Sequence, residues 1–213
     1  MIKGKVVYID EDPDHIIYFC DFAGDFFEVE VIQVENGNEL ESIVDEILSS
    51  SHDAVISDYL LNEKATVGFD GQALIEMVQS RNRHIPCFLL TSHAPDAINA
   101  THDARIVQSK GIPFGAEDAL KTMFRTQISK LIEHYRNGYG EAARELEELC
   151  EIPPENLTAF QKQRINDLDD LVESYGFSSS PIAKELKEEK GVELLIKLVA
   201  SIDELLGKYE AKP

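Results

Sequence analysis

The sequence predicts an α/β fold: a five-stranded, parallel, doubly wound sheet followed by an all-α C-terminal region. Three observations carry that reading. Short apolar runs alternate with amphipathic helical stretches through the first part of the chain, the pattern of parallel βαβ units covered on both faces. From Glu117 onward no strand pattern recurs. With 213 residues and 43% apolar content, the chain can bury a real core as one large domain or as a domain with a smaller helical piece.

The elements follow in order. "KVVYID" reads as the first strand, and Asp12-Pro13 as an N-cap with proline at the first helical position, so Asp14 to Asp25 is expected to be helical. "FEVEVIQV" alternates at period two, a strand with one solvated face. Leu40, Ile43, Val44, Ile47 and Leu48 have helical spacing. "DAVISD" is the third strand, "DGQALIEMVQSR" a helix capped by Asp70, and "PCFLLTS" the fourth strand. "PDAINATHD" is a short helix, "ARIVQSK" the fifth strand, and Glu117 to Tyr135 a long helix.

Asn137-Gly138-Tyr139-Gly140 is expected to interrupt that helix, and Pro153-Pro154 to break the pattern again. Thr158 to Tyr175 carries Phe160, Ile165, Leu168, Leu171 and Val172 and stops at Gly176. Ser180-Pro181 then opens a strongly apolar last helix that runs through Leu206. The division is therefore 1–136 for the α/β domain and 137–213 for a helical region. The apolar stripes of that region are first of all core; beyond that they suit a homodimer or docking onto a protein partner.

Charge excludes some functions. The net charge is −20. Residues 1–125 hold 9 Lys/Arg against 22 Asp/Glu, a balance of −13, and the remainder hold 11 against 18, a balance of −7. Both parts repel a phosphate backbone, and no Lys/Arg cluster offsets this, so nucleic-acid binding is not expected. No apolar run approaches the ~20 residues of a membrane helix, and residues 1–5 lead into a strand without a signal-peptide pattern. Cys20, Cys87 and Cys150 are odd in number and far apart, which fits a reducing cytoplasm better than disulfides or a metal cluster.

The polar residues fall at strand ends. The first strand ends at Asp10-Glu11, the third at Asp58, the fourth at Thr91-Ser92 and the fifth at Lys110. In a flavodoxin-like order, 2-1-3-4-5, strands one and three flank the point where the order reverses, and ligands bind there. Three carboxylates converging in one cleft repel one another unless a cation neutralises them. Magnesium suits them, because it accepts a few carboxylates and keeps water or phosphate oxygens as its other ligands. With a lysine and a threonine hydroxyl alongside, the cleft is equipped for phosphoryl transfer to a carboxylate.

These segments together resemble the receiver domain of two-component response regulators. "VVYIDEDP" resembles its first strand and acidic pair, "ENGNEL" the start of its second helix, and "HDAVISDYLL" its phosphoacceptor strand. "DGQALI" resembles the start of its third helix, "IPCFLLTS" its Thr/Ser strand, and "SKGIPF" its lysine turn. The resemblance implies that Asp58 accepts a phosphoryl group from a sensor histidine kinase or phosphotransfer protein. Glu11, Asp58 and the backbone carbonyl of Leu60 would ligate Mg2+, with Asp10 acting through a metal-bound water. Thr91 would bind the phosphoryl group and shift, and Lys110 would form the ion pair. The chain would then be a cytoplasmic switch rather than an enzyme, with its output a protein contact of the helical region.

The chain also departs from that pattern. The segment from Asp58 to Gly71 is longer than usual, through "NEKATVG", and the one from Thr91 to Lys110 is shorter, which truncates the fourth helix. Asn62 stands where proline is usual, and Val107 occupies the switch position where the family often has an aromatic. Apolar Leu60, two residues past the acceptor, would order an attacking water poorly, so a long-lived phosphoryl group is expected. Two other readings compete. "VVYIDED" also resembles the haloacid-dehalogenase phosphatases, with Asp10 as nucleophile, but that leaves Asp58 unexplained. The other is a receiver-like interaction scaffold that is never phosphorylated. A calcium loop over Asp10, Asp12 and Asp14 fails, because His15 stands where glycine is required.

Overall fold

The computed structural model of the chain describes residues 3–176. Five parallel strands form one sheet: β1 (Gly4–Asp10), β2 (Phe27–Gln33), β3 (Ala54–Asp58), β4 (Cys87–Thr91) and β5 (Val107–Ser109), in the order β2-β1-β3-β4-β5. The helices between them are α1 (Pro13–Ala23), α2 (Leu40–Ser49), α3 (Gly71–Arg81) and α4 (Ala94–Ala100), and the short α5 (Gly111–Gly115) follows β5. Two helices follow, α6 (Asp118–Cys150) and α7 (Ala159–Glu173). The last helix expected over 180–206 lies outside the described residues.

Strand alternation sorts the core onto two faces. Val7, Ile9, Val55, Cys87 and Leu89 pack with residues of α2 and α3. Val6, Tyr8, Ala54, Ile56, Phe88 and Leu90 pack with Phe19 and Phe22 of α1 and Phe124, Ile128 and Ile132 of α6. β1 and β3 are adjacent, with Tyr8 opposite Ile56, so both strands deliver their C-terminal acids to one place. The predicted caps form: Asp12 accepts from the Asp14 N–H with Pro13 in the first turn, and Asp70 accepts from the Ala73 N–H at 2.8 Å.

Two expectations need correction. The fifth strand is shorter than "ARIVQSK": Ala104–Ile106 forms a 3-10 turn, its start held by Asp103, which accepts from the Arg105 N–H, and only Val107–Ser109 pairs with β4. The long helix does not stop at Asn137–Gly140. α6 runs unbroken to Cys150, across positions 136 and 137, where the sequence reading divides the chain. Gly138 serves close packing instead of a break, since a Cβ there would lie 2.3 Å from the Tyr175 hydroxyl.

α7 folds back along α6. It opens with a capping box of Thr158 and Gln161, and Arg164 forks onto Glu145 at 2.7 and 2.6 Å. Past its end, Tyr175 is buried against the α/β body. Its ring stacks on His84 at 4.1 Å, and its carbonyl accepts from Asn82 Nδ2 at 2.6 Å. Gly176 takes a positive φ of 73° beside Asn82. The helical hairpin is thereby fixed to the amino edge of the sheet.

Candidate functional site

At the carboxyl edge, the ends of β1 and β3 bring Asp10, Glu11 and Asp58 together. Their carboxylate oxygens lie within 4.8 Å of one another, and all three residues are buried. Lys110, at the end of β5, reaches in between. Its ammonium is 2.7 Å from Asp58 Oδ1 and 3.3 Å from Asp10 Oδ2. Both oxygens of Asp10 are engaged further. Oδ1 accepts from the Asp12 N–H at 2.9 Å, and Oδ2 accepts from the Tyr8 hydroxyl at 2.5 Å.

Asp58 is held from below. Its backbone carbonyl accepts from Ser57 Oγ at 2.8 Å, and α3 begins so close that a Cβ on Gly71 would stand 1.8 Å from that carbonyl oxygen. Only glycine fits there. Leu60, half-buried, donates its N–H to Asp58 Oδ2 at 3.2 Å. Thr91 ends β4, buried, and its hydroxyl accepts from the His93 N–H at 2.8 Å, which leaves its own proton to donate. Val107 is half-buried against the core and brings no ring to the site.

Burial controls the electrostatics. Desolvation pushes Asp58 above the usual carboxylate range; the Lys110 charge opposes this, and Asp10 adds to it. Glu11 rises from 4.5 to about 7, because its burial and the neighbouring Asp10 and Asp58 charges disfavour ionisation more than its backbone hydrogen bond favours it. Tyr8 is also raised, first by burial and then by Asp10, so it stays a hydrogen-bond donor. Among the described residues, Glu11 Oε2 is buried without a hydrogen-bond partner. An orphaned carboxylate oxygen among three buried acids fits a hard divalent cation with oxygen ligands.

Sequence reasoning thus anticipated Asp10, Glu11, Asp58 and Lys110, and the fold brings those four together. Thr91 lies at the adjacent strand end. Three contributors were missed. Tyr8 was readable, because residues two apart on a strand share a face. The others are His15, whose Nδ1 lies 3.6 Å from Asp10 Oδ2 and 3.5 Å from Asp12 Oδ2, and Lys64, which pairs with Asp12 from the long β3–α3 loop.

Sheet order and site chemistry together define a receiver-like (CheY-like) α/β unit carrying extra C-terminal helices. No family model matches the chain, and no curated protein matches it. Solved structures similar to it include the signal receiver domain of an HD-domain-containing protein from Pseudomonas fluorescens. That domain is 13% identical, with a TM-score of 0.48, over 64% of this chain and 92% of its own. A response regulator receiver protein from Sinorhizobium medicae is 17% identical, TM-score 0.45, over 62% and 97%. The chemotaxis response regulator CheY4 of Vibrio cholerae is 14% identical, TM-score 0.45, over 59% and 98%. Among the described residues no helix is long and apolar enough to cross a membrane.

Proposed function

We propose that this chain is a response regulator, a phosphoacceptor switch rather than an enzyme, in which Asp58 receives a phosphoryl group from a phosphohistidine of a kinase or phosphotransfer protein. One observation carries the reading. Lys110 bridges Asp58 and Asp10 at the reversal of strand order, beside a buried Glu11 oxygen without a partner. Glu11, Asp58 and the Leu60 carbonyl would hold magnesium, with Asp10 behind them; the ion supplies charge neutralisation for the acids and for the incoming group.

The chain's own residues do the rest. An oxygen of the Asp58 carboxylate forms the bond to phosphorus, and the phosphorus–nitrogen bond of the donor breaks with its electron pair staying on the imidazole. The ammonium of Lys110 passes from Asp58 to a phosphoryl oxygen, a charge-assisted contact of the same kind. Thr91 donates its free proton to another. The acyl phosphate carries about two negative charges where the free carboxylate carried one, and the switch answers by repositioning Thr91 and Lys110. The output is a protein contact through the helical region, by a partner or a second copy. The phosphatase alternative is disfavoured, because it gives Asp58 no role, although Lys110 lies closer to Asp58, at 2.7 Å, than to Asp10, at 3.3 Å.

Intact-mass measurement after incubation with acetyl phosphate and Mg2+ tests this. The expected result is a phosphoryl adduct on the wild-type chain that requires Mg2+ and is lost in Asp58→Ala. An adduct that survives Asp58→Ala and vanishes in Asp10→Ala would reverse the assignment in favour of the phosphatase. No adduct at all would leave an interaction scaffold.

A further inference from the structure

The long β3–α3 loop is built into the rim of the site. Leu61, Ala65 and Phe69 are buried and pin it to the core. Thr66 N–H donates to Asn36 Oδ1 at 2.6 Å, and Gly37 N–H donates to the Thr66 carbonyl at 3.2 Å, which ties it to the loop after β2. Between these anchors, Lys64 pairs with Asp12 Oδ2. Asp12 is itself joined to the acid pocket, since its N–H donates to Asp10 Oδ1. A cleft of about 340 Å³ opens alongside, lined by Glu11, Gln33, Glu35, Asn36 and Lys64 with the apolar Val34 and Ala65. Among the described residues, Lys64 is the one cation on its wall, and Glu11 carries the unpartnered oxygen. The Lys64 side chain is 59% exposed, so it meets what approaches from solvent.

We infer that Lys64 is a positioning residue of the phosphoacceptor site: held by Asp12 at the rim of the acid pocket, it weakens cation binding there and assists the approach of an anionic phosphodonor. The inference rests on the function proposed above. Its physical basis is the local charge inventory. Asp10, Glu11, Asp12, Asp14 and Asp58 stand against Lys110 and Lys64, with His15 beside Asp10 and Asp12. A positive charge at the rim opposes a divalent cation and attracts a phosphate, and the two effects have opposite signs. A merely structural brace would move both the same way when removed.

The test uses the full chain as wild type, Lys64→Ala, Lys64→Arg and Asp12→Asn, the last keeping a competent helix cap. Mg2+ affinity is measured by calorimetry without donor. The rate of adduct formation from acetyl phosphate is measured at saturating Mg2+, at low and at high salt. Lys64→Ala should bind Mg2+ about threefold tighter and take up the phosphoryl group about threefold more slowly at low salt, both differences shrinking at high salt. Lys64→Arg should behave as wild type, and Asp12→Asn should shift both quantities the other way. Unchanged values in Lys64→Ala, or shifts of the same sign, overturn the inference. If the wild type forms no adduct, it is the phosphoacceptor reading that fails; the Mg2+ affinity of Lys64→Ala then decides the remaining half, and an unchanged affinity overturns that too.

Discussion

At the amino edge of the sheet, Asp53 is a buried carboxylate with every need met. It accepts the Lys5 N–H at 2.7 Å and a forked Arg136 from α6 at 2.6 and 2.5 Å. Nearby, the Asn82 amide donates to Tyr135 and to the Tyr175 carbonyl while its oxygen accepts the His84 and Ile85 N–H groups. At the carboxyl edge, Asp10 and Asp58 share one close lysine, and an oxygen of the buried Glu11 beside them has no partner among the described residues. The same chemistry serves two purposes. Where pairing is complete, buried polar groups staple the α6–α7 hairpin to the body. Where it is incomplete, the pocket holds excess negative charge that a cation or a phosphoryl group can alter.

The largest expected effect comes from breaking the complete edge. Asp53→Ala leaves Arg136 without its carboxylate and the Lys5 N–H without an acceptor. Unpairing a buried ion pair costs several kcal/mol, and because the Arg136 side chain is 38% exposed, a loss of about 2–3 kcal/mol is expected. Urea unfolding measures it. A loss well under 1 kcal/mol would mean that the hairpin is held by aromatic packing alone.

The opposite sign is expected at the other edge. Glu11→Gln removes a buried charge that is only partly hydrogen-bonded and should stabilise the metal-free protein at pH 8 by about 1–2 kcal/mol. The pH dependence follows from the raised Glu11 pKa. The folded state holds the proton more tightly than the unfolded state, so the contribution is most favourable below about 4.5 and is lost as pH rises through about 7. Thermal melts in chelator across that window should show a steeper decline in wild type than in Glu11→Gln, where only the raised Asp58 remains to contribute. A parallel decline in both proteins would assign it to another group.

The same contrast explains what was legible in the sequence. Asp10, Glu11 and Asp58 could be placed because they stand at the ends of clear apolar strands, and Lys110 because it follows a strand whose end, though not its start, was read correctly; strand order then fixes where the ends meet. The fully paired edge was not legible. Nothing local tells Asp53 that Arg136 will reach it, or Gly138 that Tyr175 will lie against it, so the glycine read as a helix break. α5 was missed because Gly111, Pro113 and Gly115 in five residues argue for a turn. Lys64 was invisible for the same reason as Arg136: it meets Asp12 across 52 residues, through a loop without periodicity.

The smallest effect sharpens the comparison in time rather than in energy. Asp58 carries its phosphoryl group, in this reading, beside Leu60, whose N–H engages the carboxylate and whose side chain offers nothing to water. Hydrolysis needs a water aligned on phosphorus, and an apolar neighbour leaves that alignment to chance. An amide at position 60 would hold such a water through one hydrogen bond, worth about 1 kcal/mol, or about fivefold in rate. Leu60→Asn should therefore shorten the half-life of the adduct about fivefold, followed by intact mass after donor removal, with Mg2+ affinity unchanged because only the backbone carbonyl of residue 60 is assigned to the ion. An unchanged half-life would mean that water reaches the phosphoryl group from a direction residue 60 does not control.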